Sequence, residues 1–150
     1  MNDYVLYILM RNDLPSMSPG RAMAQASHAS NVFIHYFGNR GDVKQWTQQT
    51  KQGFGTAIVL GLSNEEITKL FSHKDLKDYI TKGLVIDPDY VFPVNTEAAQ
   101  LINNRKINWS KLSDTDKNVT YVSKSEVTCA YIFGKKEELT QYLGEFKLHP

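Results

Sequence analysis

The 150-residue sequence has little cysteine, no long hydrophobic run and no strong excess of either charge. Its single cysteine, Cys129, cannot form an internal disulfide or a thiolate metal cluster, so we expect a fold without cross-links and a cytoplasmic location. The apolar stretch from Tyr4 to Met10 is far too short to span a membrane, so no anchor is predicted there. The 17 basic and 16 acidic residues give a net charge of +1, which neither requires nor excludes a nucleic acid partner.

The composition that remains is typical of a folded globular domain. Hydrophobic residues make up 41% of the chain and charged residues 22%, and no internal repeat is visible. A chain of this length usually forms about one domain. We therefore predict a single domain over residues 1–150.

Apolar runs typical of strands alternate with helical patterns along the chain. The predicted strands are Tyr4–Met10, 56–60, 84–86 and 127–133. The first predicted helix runs from the Ser18 cap to about Phe37, and the second covers 42–52. The third begins at Glu65 after a capping box over Ser63–Glu66, breaks near 72–73 and resumes over 75–82 with Gly83 as its end. The last covers 135–143. This alternation predicts an α/β fold, a three-layer domain with a central mixed four-stranded sheet and helices on both faces.

The stretch over residues 90–124 has the least regular pattern. Its centre is polar, and only 96–103 has the pattern of a short helix. We interpret it as an insertion or a long loop.

Polar residues on the first predicted helix form the most informative motif. Arg21, Gln25 and His28 stand at i, i+4 and i+7, so they line one stripe of the helix and could reach one substrate together. The helix begins beyond the carboxyl end of the first strand, where ligands of open α/β sheets usually bind. Such a pair of Gln and His is more often an ordinary surface or buried group, so the spacing alone is a weak signal.

Other signals for chemistry are few. Asp87 and Asp89 follow the third predicted strand, where simple turn formation is a more common role than paired catalytic carboxylates. No histidine has zinc-ligand spacing to a cysteine or carboxylate, and no glycine-rich phosphate loop occurs. We predict neither a metal nor an organic cofactor.

Two segments resemble the archaeal and eukaryotic type of peptidyl-tRNA hydrolase. That family has Arg-x-Asp-Leu after its first strand and then Met-Gly-x-Gly-Lys-x-Ala-Ala-Gln-Cys-Ser-His-Ala, where this chain has Arg11-Asn-Asp-Leu14 and Met17 to Ala29. The closing strand and helix, including Thr128, also fit. Arg21 replaces the family's lysine, which keeps the positive charge but loses an amine that could shift its pKa.

The resemblance also assigns the acidic turn. Asp87 is the counterpart of the family's aspartate, with Asp89 as its rival, and the family's threonine four positions later is Val91 here. Thr128 matches the threonine of the last strand. The resemblance therefore implies a site made of Arg21, Gln25, His28, Asp87 and Thr128.

The implied activity is hydrolysis of the ester between a peptide and the 3′ end of tRNA. Asp87 or His28 would orient the attacking water, Gln25 and Thr128 would bind the carbonyl or the terminal ribose, and Arg21 would bind a phosphate. Two alternatives remain open: an inactive descendant that binds tRNA, and a protein-interaction module that uses the 90–124 stretch. The implied partner is tRNA rather than a membrane, and the resemblance is compatible with a homodimer.

Overall fold

A mixed four-stranded sheet forms the centre of the computed structural model, which describes residues 3–14, 16–79, 81–94 and 120–150. The strands are β1 (Tyr4–Arg11), β2 (Ala57–Leu62), β3 (Lys82–Val94) and β4 (Thr120–Lys135). The described helices are α1 (Pro19–Phe37), α2 (Gly41–Thr47), α3 (Asn64–Phe71) and α4 (Lys136–Leu143).

β1 lies inside the sheet, as its unbroken apolar sequence predicts. The strand order is β2-β1-β4-β3, with β1 parallel to β2 and antiparallel to β4. Val5 to Met10 are all buried because helices cover both faces of the strand. β3 pairs with β4 alone among the described strands and forms one edge of the sheet.

Helices pack on both faces of the sheet and complete three layers, which confirms the predicted fold class. α1 and α2 bury Ala29, Phe33 and Trp46 against one face. α3 and α4 bury Ile67 and Leu139 against the other. No described helix combines the length and the hydropathy that crossing a membrane requires.

The ends of two helices follow from local sequence. The Ser18 side chain accepts a hydrogen bond from the Arg21 backbone N–H, and Pro19 occupies the first turn of α1. Ser63 and Glu66 form a reciprocal capping box at the start of α3. Both starts are as predicted.

The predicted helix over 75–82 is wrong. Residues 72–79 form turns, and the chain enters β3 at Lys82, before the predicted strand start at 84. Gly83 is therefore a strand residue rather than the end of a helix. A Cβ atom at Gly83 would lie 2.6 Å from the Tyr131 hydroxyl oxygen, so the glycine permits the close approach of β4.

The ends of the 90–124 stretch belong to the sheet rather than to a loop. Tyr90 pairs with Lys124 and Val94 pairs with Thr120, so β3 and β4 are longer than predicted. Residues 95–119, with the short helix predicted over 96–103, lie outside the described residues. The second helix is shorter than predicted: α2 ends at Thr47 rather than near residue 52.

Candidate active site

Three side chains from α1, β3 and β4 form a hydrogen-bonded chain. The Thr128 hydroxyl donates to Gln25 Oε1 at 2.7 Å, and Gln25 Nε2 donates to Asp87 Oδ2, also at 2.7 Å. Thr128 is 0% exposed and Gln25 is 4% exposed, whereas Asp87 is half-buried. The two buried groups therefore fix the orientation of a carboxylate that solvent can reach.

A β-bulge turns Thr128 towards α1. Val85 pairs with Cys129 and Ile86 pairs with Val127, so Thr128 is an extra residue in β4. Because Cys129 faces α1, regular alternation would turn Thr128 to the opposite face of the sheet. The bulge instead brings its hydroxyl to Gln25.

Cys129 anchors the same turn of α1. Its thiol is fully buried and donates to the Gln25 carbonyl oxygen at 3.5 Å. Burial raises the pKa of the Cys129 thiol to about 12, against a small opposing effect of the Thr128 hydroxyl. This cysteine is therefore a packing group rather than a nucleophile.

A second irregularity holds Asp87 in place. β3 shifts register between Asp87 and Tyr90, so Pro88 and Asp89 bulge out of the ladder. The Asp89 backbone N–H donates to Asp87 Oδ1 at 3.0 Å, and the Asp89 side chain itself is exposed. Of the two rival aspartates, Asp87 is the one in contact with Gln25.

Arg11 stabilises the strand segment before Thr128. Its guanidinium donates to Glu126 at 2.7 Å and to the Val127 carbonyl at 3.0 Å, and it pairs with Asp13. Burial alone lowers the pKa of Arg11, but the hydrogen bonds and charges of Asp13 and Glu126 outweigh it and raise the pKa above its ordinary value. Arg11 thus ties the end of β1 to the bulge in β4.

His28 and Asp87 line one open groove of about 730 Å³ between α1 and β3. His28 is exposed, and it stands about 4–5 Å further along the helix axis than Gln25. The site is therefore open to a ligand on this side.

Arg21 lies on the other side of Gln25, about 6 Å along the helix axis. It is exposed, and its Nη1 donates to the Ser16 carbonyl at 2.9 Å. The Ser16 hydroxyl in turn donates to the Val91 carbonyl. These bonds tie the start of α1 to β3.

The structure thus joins Gln25, Asp87 and Thr128 directly and places His28 in the same groove as Asp87. Arg21 stands on the same side of α1 as His28, but its described hydrogen bond goes to Ser16 and not to the cluster. Thr128 is 0% exposed, and its hydroxyl is bonded to Gln25.

Sequence reasoning assigned no role in the site to Ser16, Arg11 or Glu126. Arg11 was part of the recognised motif, but its partner Glu126 lies far along the chain, and no local pattern joins them. Ser16 had no signal beyond its place before the helix cap.

The site suits acid–base chemistry on a neutral or anionic substrate. An oriented carboxylate can hold a water molecule and accept its proton. A guanidinium can pair with a phosphate. Among the described residues, no group of three or more His, Cys, Asp or Glu side chains is placed to hold a metal ion.

Comparisons with known proteins show the fold and the family of the chain. A solved structure of a protein of unknown function from Agrobacterium tumefaciens matches with a TM-score of 0.52 and 14% identity, over 100% of both chains, which shows a shared fold. No curated protein matches the sequence significantly. The model of the peptidyl-tRNA hydrolase PTH2 family matches residues 4–92, which include α1 and Asp87. The chain belongs to the peptidyl-tRNA hydrolase PTH2 family.

Proposed function

We propose that the protein hydrolyses the ester between a peptide and the 3′ end of tRNA. The observation that carries the proposal is the chain from Thr128 through Gln25 to Asp87, which presents a fixed carboxylate to an open groove. The membership of the family supports the same reaction. Such an ester needs a positioned water, a proton acceptor and charge stabilisation, and the chain's own side chains can supply these.

Asp87 is the better candidate for the group that orients water. Its two oxygens accept hydrogen bonds from the Gln25 amide and from the Asp89 backbone, so its position is fixed from two sides. The carboxylate would accept a proton as the water oxygen attacks the ester carbonyl carbon. It would then return that proton to the departing 3′ oxygen of the ribose.

The other residues have supporting roles in this proposal. His28, on the groove wall, would donate a hydrogen bond to the carbonyl oxygen as it gains charge. Gln25 and Thr128 are positioning residues because both are buried behind Asp87. Arg21 would pair with a phosphate of the tRNA acceptor end, since its exposed guanidinium has further donors beyond the one that Ser16 uses.

The test is release of N-acetyl-aminoacyl groups from tRNA by the parent protein and by Asp87→Asn and His28→Ala variants. We expect Asp87→Asn to lower kcat/KM by about 10²–10⁴-fold, because it removes the proton acceptor without changing the shape of the side chain. His28→Ala should lower it by a smaller factor.

Two matched variants control for indirect effects. Asp89→Asn changes the neighbouring exposed carboxylate, and His73→Ala removes an exposed histidine on a different part of the surface. Both should retain parental activity. Binding of the tRNA without cleavage by the parent protein would favour an inactive descendant instead, and neither binding nor cleavage would favour a protein-interaction module.

A further inference from the structure

The groove extends beyond the site along the edge of the sheet. One wall is the exposed side of α1 from His28 to Tyr36, and the other is the segment of β3 from Leu84 to Pro88. The α1 wall is about 12 Å long at about 1.5 Å per residue. An extended chain rises about 3.3 Å per residue, so three to four residues would fill this length.

The β3 wall is an exposed strand edge. β4 pairs with one side of β3, and no other described strand pairs with the opposite side. Every second residue of such an edge directs its N–H and C=O groups away from the sheet. These groups can bind another extended chain.

Two of the three aliphatic residues in Leu84–Ile86 are exposed, while Val85 is buried. Leu84 is 47% exposed and Ile86 is 58% exposed, and they stand on one face of the strand at a spacing of two. Their side chains point away from α1, because Val85 packs on the α1 side of the sheet and Asp87 contacts Gln25. On the α1 side of the same edge, Tyr36 is 70% exposed. An added strand would cover aliphatic surface that edge strands usually protect.

Asp87 fixes where an added strand would end. It belongs both to the groove and to the cluster with Gln25, and the bulge at Pro88 and Asp89 interrupts the ladder directly after it. A substrate ester placed at Asp87 can therefore extend its peptide back along Leu84–Ile86 within this groove. Such a peptide would run parallel to β3.

The charges of the groove favour a peptide over RNA. No lysine or arginine is among the described residues that line it, whereas Arg21 stands on the far side of Gln25. A phosphate backbone would need such cations. The two halves of the substrate would therefore lie on opposite sides of Asp87.

We infer that the peptide of the substrate binds as an additional strand along Leu84–Asp87. This inference rests on the proposed function. Backbone hydrogen bonds give this mode its affinity and leave it tolerant of the peptide's sequence. Cleavage efficiency then rises with peptide length until the strand is three to four residues long, and stays constant beyond that.

The experiment measures kcat/KM on tRNA that carries acetylated peptides of one to six residues. We expect an increase of about tenfold or more between one and four residues, and a plateau thereafter. N-methylation of the backbone at alternate positions of the tetrapeptide should remove most of this increase, because it removes the donors that an added strand needs. Changes in the peptide side chains should have small effects.

A double variant, Leu84→Ser with Ile86→Ser, tests the β3 wall. It should lower kcat/KM on the tetrapeptidyl substrate by about tenfold more than on the N-acetyl-aminoacyl substrate, since the longer peptide covers more of these side chains. Leu148→Ser is the matched control, because Leu148 is also exposed but lies beside β2.

The outcomes separate the two proposals. Cleavage of every substrate with no dependence on length or N-methylation overturns the added strand but leaves the proposed function intact. Cleavage of none overturns the proposed function and with it the strand. A parent dimer that Ile86→Lys converts to a monomer would mean that a second copy of the chain covers this edge, which also overturns the inference. The N-methyl series uses the parent protein, so it decides even where a variant does not fold.

Discussion

Replacing Gln25 and Thr128 singly and together tests whether their hydrogen bond holds the site. Gln25→Leu leaves the fully buried Thr128 hydroxyl without its acceptor, which costs about 1–3 kcal/mol. The bond from Gln25 to Asp87 is lost as well, but water can replace it at the half-buried carboxylate. We therefore expect a loss of about 1–3 kcal/mol in the free energy of unfolding.

Thr128→Val keeps the shape of the side chain and removes the hydroxyl. The Gln25 amide oxygen then lacks its donor in a buried place, at a cost of about 1–2 kcal/mol. In the double variant both polar partners are gone, so neither is left unsatisfied. Its loss should be smaller than the sum of the single losses by about 1–2 kcal/mol.

Urea unfolding followed by tryptophan fluorescence measures these free energies, because Trp46 is buried between α2 and the sheet. Each kcal/mol corresponds to about 2–4 °C in Tm for a chain of this size. Gln25→Leu combined with Thr140→Val, on the distant exposed side of α4, provides a control cycle that should be additive to within about 0.5 kcal/mol. Equal additivity for the Gln25 and Thr128 pair would refute the buried hydrogen bond.

Three further predictions concern charge and reactivity. Arg21→Gln should reduce the slope of the logarithm of the tRNA binding constant against the logarithm of salt concentration by about 0.7–0.9, while Arg21→Lys should retain the parental slope. Equal slopes for both variants and the parent would show that Arg21 binds no phosphate. The Cys129 thiol is buried and has a raised pKa, so at pH 8 it should react with a disulfide reagent only as fast as the protein unfolds. Reaction rates measured in increasing urea check this. Burial raises the pKa of Asp13, but the hydrogen bond and charge of Arg11 and the bond from the Asn64 backbone outweigh it and lower the pKa overall. The stability that Asp13 contributes is present above its unfolded pKa of about 4 and is lost as the pH falls through the folded pKa. The difference in urea midpoint between the parent and Asp13→Asn should therefore disappear in acid. A difference that stays constant with pH would contradict the lowered pKa.

The parts of the fold that sequence predicted are those with local causes. The unbroken apolar run of β1 requires cover on both faces, and the Ser18 and Ser63 caps satisfy the free N–H groups at the helix starts. The helical stripe of Gln25 and His28 likewise follows from the period of the helix alone. These features depend on residues within a few positions of one another.

The incorrect or missing parts depend on contacts between distant segments. Gly83 is predicted as the end of a helix, but in the structure its lack of a side chain makes room for the Tyr131 ring on β4. The position of Thr128 depends on a register shift between β4 and β3. The sequence pattern of β4 alone does not predict this shift. The resemblance to the family identified this threonine, while its buried, positioning place became visible only in the structure.

The Thr128 bulge lies just outside the part of β4 that pairs with β1. From Cys129 to Lys135 the strand pairs with β1 without interruption, and the irregularities all lie on the side that faces β3. Changes in β4 before Cys129 and in the part of β3 that pairs with it can therefore accumulate without shifting the pairing of β4 with β1. A chain built this way can change along its β3 edge over evolutionary time while the pairing of its central strands stays the same.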